Sequence, residues 1–352
     1  MHLLYLPNEC NEGDQPGPRY ALTKLQSEGV IDKLTIFSYQ VIEKRLGNWE
    51  QTLAGLLKLI EAERPTSILI QHIGKHEFPD EFFQKITGLY PHTPPILSYD
   101  DSDVYGRLKK PLPKSVMHIC QNSDVIFLVA AGKFANRFRK NGCKNICYLP
   151  NVASTTTFGK PWRSNAKRDF EVVMIANNTK SRIPFKSMPG AKQREKLAMA
   201  LSHEFGSRFA LYGKGWENNL CNQGPIDFLM QEQMMRKAWI RVGYGHFNNY
   251  EGYFSNSLPI TLISGTSYVV KRTPGMENFV IDGYHCRMFE SVKEAVEIVR
   301  DLISGPKEEL IEMGQRGAKL AHTILNDNVR MMRLVSILKQ YEKSHFRILR
   351  DH

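Results

Sequence analysis

The stretch Arg208-Phe-Ala-Leu-Tyr-Gly-Lys-Gly-Trp216 places two glycines directly after a short apolar run. The run Phe209–Tyr212 has the composition of a buried strand, because its apolar residues continue without alternation. Glycine after a strand lets the backbone approach a ligand closely, and Lys214 between the two glycines could bind a phosphate. An ordinary glycine turn fits the same letters. The stretch predicts a strand of an α/β sheet that ends at a ligand site.

The same alternation of short apolar runs with amphipathic segments extends over the whole chain. In the first half we predict strands at His2–Pro7, Leu34–Tyr39, Ser67–Ile73, Ile96–Tyr99, Val125–Ala130 and Asn145–Leu149. In the second half we predict strands at Glu171–Ala176, Arg208–Tyr212, Gly243–Gly245, Ser267–Lys271 and Cys286–Phe289. Helical patterns lie between the strands, for example at Asp227–Trp239, as in parallel sheets with helical crossovers.

We therefore predict an α/β protein with two Rossmann-like, doubly wound domains, an interdomain cleft for ligands and a C-terminal helix. The N-terminal domain is predicted over residues 1–152 and a polar linker over residues 153–169. The C-terminal domain is predicted over residues 170–327, and the final helix over residues 328–352.

The composition is that of a folded protein: 352 residues, 42% hydrophobic and 24% charged, enough chain for two domains. No apolar run approaches the roughly 18 residues of a membrane span, so no transmembrane segment is predicted. The N-terminal letters predict a first strand rather than a signal peptide. The six cysteines follow neither a disulfide framework nor a zinc spacing. We expect reduced thiols, no metal site and a cytoplasmic location.

The charge is high and unevenly distributed. The chain carries 47 Lys and Arg against 36 Asp and Glu, a net charge of +11. Residues Val104 to Lys196 alone contain 19 Lys or Arg and four Asp or Glu, a local charge of +15. Single basic residues are usually solvated, but an imbalance of this size favours an anionic partner.

A second ligand-binding element is predicted at Ser255-Asn-Ser-Leu-Pro259. Capping residues followed by proline indicate the start of a helix. The N–H groups and the positive dipole end of such a helix suit a diphosphate. The residues that we expect on the phosphates are Gly213, Lys214, Gly215, Ser255, Asn256 and Ser257.

Three ordered segments, Tyr212–Trp216, Gly265–Glu277 and Asp282-Gly283, resemble the C-terminal domain of GT-B glycosyltransferases. Tyr99-Asp-Asp-Ser-Asp103 resembles an Asp-Asp stretch in the N-terminal domain of their CgeB-like, spore-maturation-type group. The resemblance implies the GT-B fold and sugar transfer from a nucleotide-sugar donor, taken here as UDP-linked. It also implies UDP as the product, with no cofactor and no obligatory metal.

By the same resemblance, basic residues after the first strand of the second domain neutralise the leaving diphosphate. Lys180 and Arg182 are the catalytic candidates, because a fixed cation there acts most strongly in the transition state. Solvated loop charges are the alternative interpretation. The remaining donor-binding candidates are Asn177, Arg272, Gly275 and Glu277.

In the first domain, the Gly- and Pro-rich loop Asn11–Arg19 matches in position the GT-B loop that borders the acceptor and the transferred sugar. Asp100 and Asp101 end a strand, where a carboxylate could orient or deprotonate an acceptor hydroxyl. We name these two as catalytic candidates. The acceptor-side candidates are Gly13, Asp14, Arg19 and His72. A structural turn and a structural histidine fit the same residues.

The chain departs from the family at one position. Retaining GT-B enzymes commonly have a glutamate that binds the nucleotide ribose, and Ile260 or Thr261 stands there in this sequence. The departure leaves the donor nucleotide open. It also motivates a rival hypothesis, a non-catalytic nucleic-acid-binding protein on a GT-B scaffold.

Two acceptor classes remain open. The basic tract favours a polyanionic acceptor, with a hydroxymethylated base of double-stranded DNA, flipped into the cleft, as the first candidate. The other candidate is a cell-surface glycan or lipid-linked saccharide, reached by peripheral contact with an anionic membrane.

Overall fold

The structure is a computed structural model that describes residues 1–71, 76–104, 112–161, 163, 166–179 and 188–350, with side chains up to residue 343. The described chain separates into two compact units. Unit 1 contains Met1–Pro150 and Asp327–His352, and unit 2 contains Asn151–Asn326.

Unit 1 contains a sheet of six parallel strands among its described residues. The strands are β1 His2–Leu6, β2 Lys33–Ile36, β3 Ser67–Gln71, β4 Ile96–Asp101, β5 Val125–Leu128 and β6 Ile146–Tyr148. Their order is β2-β1-β3-β4-β5-β6, so the order changes direction between β1 and β3. Ligands of doubly wound sheets bind at such a switch point.

Helices cover the faces of this sheet. They are α1 Pro16–Ser27, α2 Tyr39–Leu46, α3 Trp49–Glu63, α4 Asp80–Leu89, α5 Lys114–Gln121, α6 Gly132–Arg139 and, at the end of the chain, α12 Asp327–Arg350. Pro16 opens α1, and the Asn48 side chain caps α3 by accepting the Gln51 N–H at 2.9 Å. Leu334 and Leu338 of α12 share the core of unit 1 with Leu22, which ties the last helix to this unit.

Unit 2 also contains six parallel strands within its described part. They are β7 Phe170–Ile175, β8 Phe209–Tyr212, β9 Asn222–Gly224, β10 Ala238–Gly243, β11 Ser267–Lys271 and β12 Arg287–Phe289. The order β12-β11-β10-β7-β8-β9 is that of the dinucleotide-binding Rossmann sheet. Its switch point lies between β7 and β10, which pair directly.

The helices of unit 2 are α7 Ala191–Phe205, α8 Gln231–Arg236, α9 Ser257–Ser264, α10 Val292–Ser304 and α11 Lys307–Ile324. Ser291 and Glu294 form a reciprocal capping box at the start of α10. The inner faces of α7 and α10 pack on β7, β8 and β10 around Val172, Leu211 and Ile240.

The predicted fold class is confirmed: two parallel six-stranded sheets with helical crossovers and a final helix. Two element predictions are wrong. The strand placed at Gly243–Gly245 is β10, Ala238–Gly243, and the helix placed at Asp227–Trp239 ends at Arg236. Arg241 interrupts the apolar run of this strand. The apolar residues around it therefore fitted the spacing of an amphipathic helix. The interdomain cleft and the domain boundaries stay predictions.

Candidate active site

A pocket of about 330 Å³ opens at the carboxyl edge of the unit 2 sheet. Its walls include Ile175, Gly213, Gly243 and Lys271, which lie at the ends of β7, β8, β10 and β11. The pocket therefore lies at the switch point of the sheet, where the crossovers leave opposite faces and open a crevice.

The loop after β8 is bound tightly to the loop after β7. The Asn177 side chain accepts the Lys214 N–H at 2.9 Å, and the Trp216 ring N–H donates to the Ala176 carbonyl at 2.6 Å. Gly213 has a φ of 141°, and a Cβ there would lie 2.1 Å from the Ala176 carbonyl oxygen. Only glycine allows this contact, so the residue type fixes one wall of the pocket.

Helix α9 begins at the pocket with Ser257 and has no side-chain cap on its first turn. Arg241, on β10, braces this turn from below. Its guanidinium donates to the Ser257 hydroxyl at 2.7 Å and to the Thr261 hydroxyl. The helix start is thus held in place by a buried cation, and its N–H groups and dipole favour an anion at the pocket.

Arg241 is only 2% exposed, and no carboxylate contacts it among the described residues. Its guanidinium lies over the Tyr268 ring at 5.6 Å, and its Nε has no hydrogen-bond partner in the described part of the chain. Burial lowers the pKa of Arg241, because desolvation of the charge outweighs the opposing effect of the nearby Tyr268. A buried cation without a counter-ion suits a site whose ligand is an anion.

Arg194, on α7, is the second cation in the pocket wall. It donates from Nε to the Tyr244 carbonyl at 2.9 Å and from a terminal nitrogen to the Asn177 carbonyl at 3.1 Å. Burial lowers the pKa of Arg194 to about 10, since the contacts that it makes are with neutral groups. These bonds fix the direction of the guanidinium before any ligand arrives.

The described lining contains no Asp or Glu. It contains four cationic side chains: Arg194, Lys214, Arg241 and Lys271. Lys271 forms an ion pair with Glu290, which lies outside the lining. The pocket is therefore electropositive, and its charge complements a ligand with two or more negative charges.

Comparisons with known proteins relate part of the chain to one family and the whole fold to several solved structures. Residues 192–337, less than half of the chain, match the family model described as "Glycosyl transferase-like". None of the curated proteins compared with the chain matches it.

Several solved structures share the fold. HepE of Anabaena in complex with UDP is 12% identical with a TM-score of 0.59, over 97% of this chain and 100% of HepE. TarM of S. aureus in a complex with UDP is 14% identical with a TM-score of 0.54, over 82% of this chain and 59% of TarM. Sucrose-phosphate synthase of Thermosynechococcus elongatus is 10% identical with a TM-score of 0.53, over 84% of this chain and 79% of the synthase. The chain thus spans about three fifths of the length of TarM.

The chain has the GT-B glycosyltransferase fold. Within this fold, six donor-binding candidates line the unit 2 pocket: Asn177, Gly213, Lys214, Ser255, Asn256 and Ser257. Gly215 is in the neighbouring turn, where a Cβ would lie 2.6 Å from the Asn178 carbonyl oxygen. Membership of the CgeB-like group stays a prediction.

Besides Gly215, three donor-side candidates do not line the described pocket. Arg272 forms ion pairs with Asp282 at 2.9 Å and with Glu290 at 3.2 Å, so its charge is already compensated. Gly275 has a φ of 83° and opens a short turn that contains Glu277, which is exposed. Their donor contacts stay predictions.

Lys180, Arg182 and His72 lie outside the described residues. Their predicted roles therefore stay predictions. Among the described residues, no three His, Cys, Asp or Glu side chains are grouped closely enough to hold a metal ion. No described helix combines the length and the apolar character needed to cross a membrane.

In unit 1 the predicted catalytic carboxylates are buried and bonded. Asp100 receives two hydrogen bonds from the Arg330 guanidinium of α12, at 2.8 and 2.6 Å. Asp101 accepts the Tyr99 hydroxyl at 3.1 Å and the Asp103 N–H at 2.8 Å. These contacts give both residues a structural role, and their catalytic role stays a prediction.

The acceptor-side loop is held by a second ion pair, of which only the carboxylate is fully buried. Arg19 donates to both Glu9 oxygens, at 2.6 and 2.7 Å, and Glu9 is fully buried. Asp14 accepts the Asn11 N–H at 2.7 Å, and Gly13 has a φ of 85° in the same turn. The side chains of Arg19 and Asp14 therefore make hydrogen bonds that hold the loop in its shape.

Sequence reasoning missed Arg194 and Arg241, the two arginines in the pocket wall. Arg194 stands in the basic run Lys192-Gln-Arg-Glu-Lys196, which is typical of a solvated helix face. Arg241 could have been found, because it lies inside the apolar run Trp239-Ile-Arg-Val-Gly243. Burying an unpaired charge is costly, so an arginine in a buried strand indicates a functional site.

Proposed function

We propose that the protein is a glycosyltransferase that moves a sugar from a nucleotide-sugar donor, most simply UDP-linked, to an acceptor hydroxyl. The observation that carries the proposal is the acid-free pocket at the unit 2 switch point, with Arg194 and Arg241 built into its wall. A donor diphosphate supplies the negative charge that these cations lack. The presence of UDP in the HepE and TarM structures supports this donor.

The proposed chemistry uses the same charges. The acceptor oxygen bonds to the anomeric carbon, the bond from that carbon to the diphosphate oxygen breaks, and UDP leaves as the product. The acceptor proton passes to a base or to the departing phosphate. Negative charge grows on the leaving oxygen, so fixed cations stabilise the transition state more than the ground state. We propose Lys180 and Arg182 as further cations in this step.

We propose that the reaction needs neither cofactor nor metal ion, because arginine and lysine side chains can neutralise the diphosphate directly. Turnover should then be unchanged by a chelator such as EDTA. A complete loss of turnover with EDTA, restored by added magnesium or manganese, would contradict this part of the proposal.

Binding of UDP and hydrolysis of a panel of nucleotide sugars test the donor proposal. Arg194→Met should weaken UDP binding about 10- to 100-fold, since a hydrogen bond to a charged group is lost. Arg208→Met is the matched control, because Arg208 is exposed and pairs with Glu171 away from the pocket. If no donor is bound or turned over, the protein is a non-catalytic binder on a GT-B scaffold.

The two proposed catalytic cations have their own test. Lys180→Ala and Arg182→Ala should lower turnover far more than they lower the free energy of unfolding. Unchanged turnover in both variants would remove them from the site.

We further propose that the acceptor, or the surface that presents it, is polyanionic. Helix α6 supports this, because Lys133, Arg137, Arg139 and Lys140 line one shallow groove of unit 1 with Asn136 and no acid. A hydroxymethylated base in double-stranded DNA and a lipid-linked or cell-surface saccharide both fit that charge. Gel shifts on duplex DNA at two salt concentrations test the first: affinity that does not fall steeply with salt rejects it.

A further inference from the structure

The loop after β10 packs directly on the start of α7. A Cβ added to Gly190 would lie 2.4 Å from the Gly245 carbonyl oxygen, so the two backbones are in contact. The Asn248 side chain donates to the same carbonyl at 2.7 Å and holds the loop in this position. The next residue after Gly245, His246, is half-buried and does not belong to the lining of the pocket. Any effect of His246 on a ligand in the pocket therefore passes through other residues.

His246 contacts one of the two arginines in the pocket wall. A terminal nitrogen of Arg194 lies 2.9 Å from Nε2 of His246, and the Thr179 hydroxyl lies 3.2 Å from the same ring nitrogen. A guanidinium has only donors, so Nε2 is the acceptor, and the Thr179 hydroxyl donates to it as well. The imidazole is therefore neutral, with its proton on Nδ1.

The bond to His246 completes the fixed geometry of Arg194. Nε of the guanidinium donates to the Tyr244 carbonyl, and one terminal nitrogen donates to both the Asn177 carbonyl and His246. The other terminal nitrogen has no hydrogen-bond partner among the described residues. Three neutral acceptors thus occupy one side of the guanidinium and leave a terminal nitrogen for a ligand in the pocket that Arg194 lines.

The type of acceptor decides how much of its charge Arg194 keeps for a ligand. A carboxylate at position 246 would form an ion pair with Arg194 and compensate its charge, as Asp100 does for Arg330 in unit 1. A neutral imidazole accepts a hydrogen bond in the same direction and adds no negative charge. Histidine therefore orients the guanidinium and leaves its charge for an anion.

We propose that His246 is a positioning residue of the donor site, whose neutral Nε2 holds the Arg194 guanidinium in the direction in which it binds the diphosphate. The same imidazole also holds Thr179, which directly precedes Lys180 in the sequence. It therefore fixes the start of the segment that continues to Lys180 and Arg182, the two proposed catalytic cations. The inference rests on the proposed function, since it takes the ligand of Arg194 to be a diphosphate.

Three substitutions of His246 in the full chain separate the effect of orientation from that of charge, with calorimetric titration of UDP as the measurement. His246→Gln keeps a neutral acceptor oxygen and should bind UDP within about threefold of the wild type. His246→Leu removes the acceptor and should weaken UDP binding about tenfold, because Arg194 is no longer held. His246→Glu supplies an acceptor that compensates the charge of Arg194, so it should bind UDP no better than His246→Leu.

Urea unfolding of the same variants distinguishes positioning from a purely structural role. His246→Glu should be at least as stable as His246→Leu, because its carboxylate pairs with Arg194, and should still bind UDP no better. His203→Leu is the control, since His203 is exposed on the same helix α7 and does not line the pocket. It should bind UDP as the wild type does. Wild-type affinity in His246→Leu or His246→Glu, or affinities that only follow the order of stabilities, would overturn the inference.

The tautomer of His246 is tested without any ligand. Nitrogen-15 NMR of the imidazole in the free protein at about pH 8, where an ordinary histidine is neutral, should show the proton on Nδ1. The signals are assigned to His246 by their absence from the spectrum of His246→Gln. A proton on Nε2 would overturn the inference, because that nitrogen could then not accept a hydrogen bond from Arg194.

Titration with inorganic pyrophosphate as a second probe keeps the two proposals separable. If the wild type binds pyrophosphate but not UDP, the nucleotide-sugar proposal fails, and the order of the variants with pyrophosphate decides the role of His246. If the wild type binds UDP and His246→Leu binds it equally well, the donor proposal stands and the inference about His246 is overturned. If the wild type binds neither probe, both proposals are overturned.

Discussion

The arginines at the carboxyl edges of the two sheets have different kinds of partner. In the described part of unit 1, two arginines meet a carboxylate of the same unit: the buried Arg330 bonds to Asp100, and the partly exposed Arg19 bonds to the buried Glu9. In unit 2, Arg241 and Arg194 bond to hydroxyls and carbonyls, and no carboxylate lines their pocket among the described residues.

The difference separates support from binding. A cation that is paired with a carboxylate of its own unit holds loops and helices together. Its charge is compensated and its donors are occupied, so it attracts a ligand only weakly. A cation held only by neutral groups keeps its charge for a ligand, and the protein bears the desolvation cost until the ligand binds. The comparison therefore favours unit 2 as the place of the proposed diphosphate site, and the described pairs of unit 1 as supports of its fold.

The largest effect is expected from breaking the unit 1 pair. Asp100→Ala leaves Arg330 buried without a counter-ion, which should lower the free energy of unfolding by about 3–5 kcal/mol. Urea unfolding measures this, with Glu61→Ala, at an exposed position on α3, as the control. If Asp100→Ala instead abolishes turnover without a loss of stability, Asp100 is catalytic and the structural half of the comparison fails.

The opposite response is expected in unit 2. Arg241→Met removes an uncompensated buried charge, so its cost in stability should be well below that of Asp100→Ala. UDP affinity should nevertheless fall roughly 10- to 100-fold, because the brace on the start of α9 and its charge are lost. Calorimetric titration gives the affinity. A large stability loss with unchanged UDP affinity would place Arg241 with the structural pairs.

A smaller effect is expected from the loop that closes the pocket wall. Gly213→Ala should cost about 1–3 kcal/mol of local strain and weaken UDP binding, since a Cβ there meets the Ala176 carbonyl oxygen at 2.1 Å. Gly224→Ala is the control: its φ is also positive, at 84°, but no atom lies within 4 Å of the added Cβ. It should lower stability modestly and leave UDP binding unchanged. Equal UDP affinities for the two variants would show that the contact does not shape the pocket.

The smallest effect concerns the pH dependence of unit 1. Burial alone would raise the pKa of Glu9, but the hydrogen bonds from Arg19 outweigh it and leave the pKa below the ordinary value of 4.5. Glu9 therefore stabilises the fold above that value, and the contribution is lost as the pH falls through the lowered pKa.

Glu9→Gln should then lower the free energy of unfolding by about 1–2 kcal/mol near pH 6, and by less near pH 3. Denaturant unfolding at the two pH values measures the difference. Glu50→Gln, at an exposed position on α3, should show no such pH dependence. A deficit for Glu9→Gln that grows on acidification would mean that the pKa of Glu9 is raised in the folded protein rather than lowered.

Much of the fold could be predicted from short sequence patterns. Strands β1, β3 and β11 begin at the residues that their apolar runs predict, because a buried parallel strand needs an uninterrupted apolar run. The strand β9, Asn222-Gln-Gly224, was missed, since it is short, polar and at the edge of its sheet. Edge strands need no apolar run, so periodicity cannot find them.

The candidate site could be predicted where consecutive residues carry the signal, as with glycines after a strand and capping residues at the start of a helix. Gly213 and Ser257 could be predicted as site residues from such local patterns. Arg241 and Arg194 do not, because their importance comes from burial and from the lack of a carboxylate nearby, which depend on residues distant in sequence. The same reason hid the pair between Asp100 and Arg330, which are 230 residues apart.

The position of α12 also sets an order of folding on the ribosome. This helix is made after the whole of unit 2, yet Met331, Leu334 and Val335 complete the core of unit 1, whose strands are made first. Until it emerges, Asp100 lacks Arg330, and the apolar face of α1 lacks a cover. Unit 2 is one continuous stretch that is made before α12, whereas the core of unit 1 is complete only after α12 has been made.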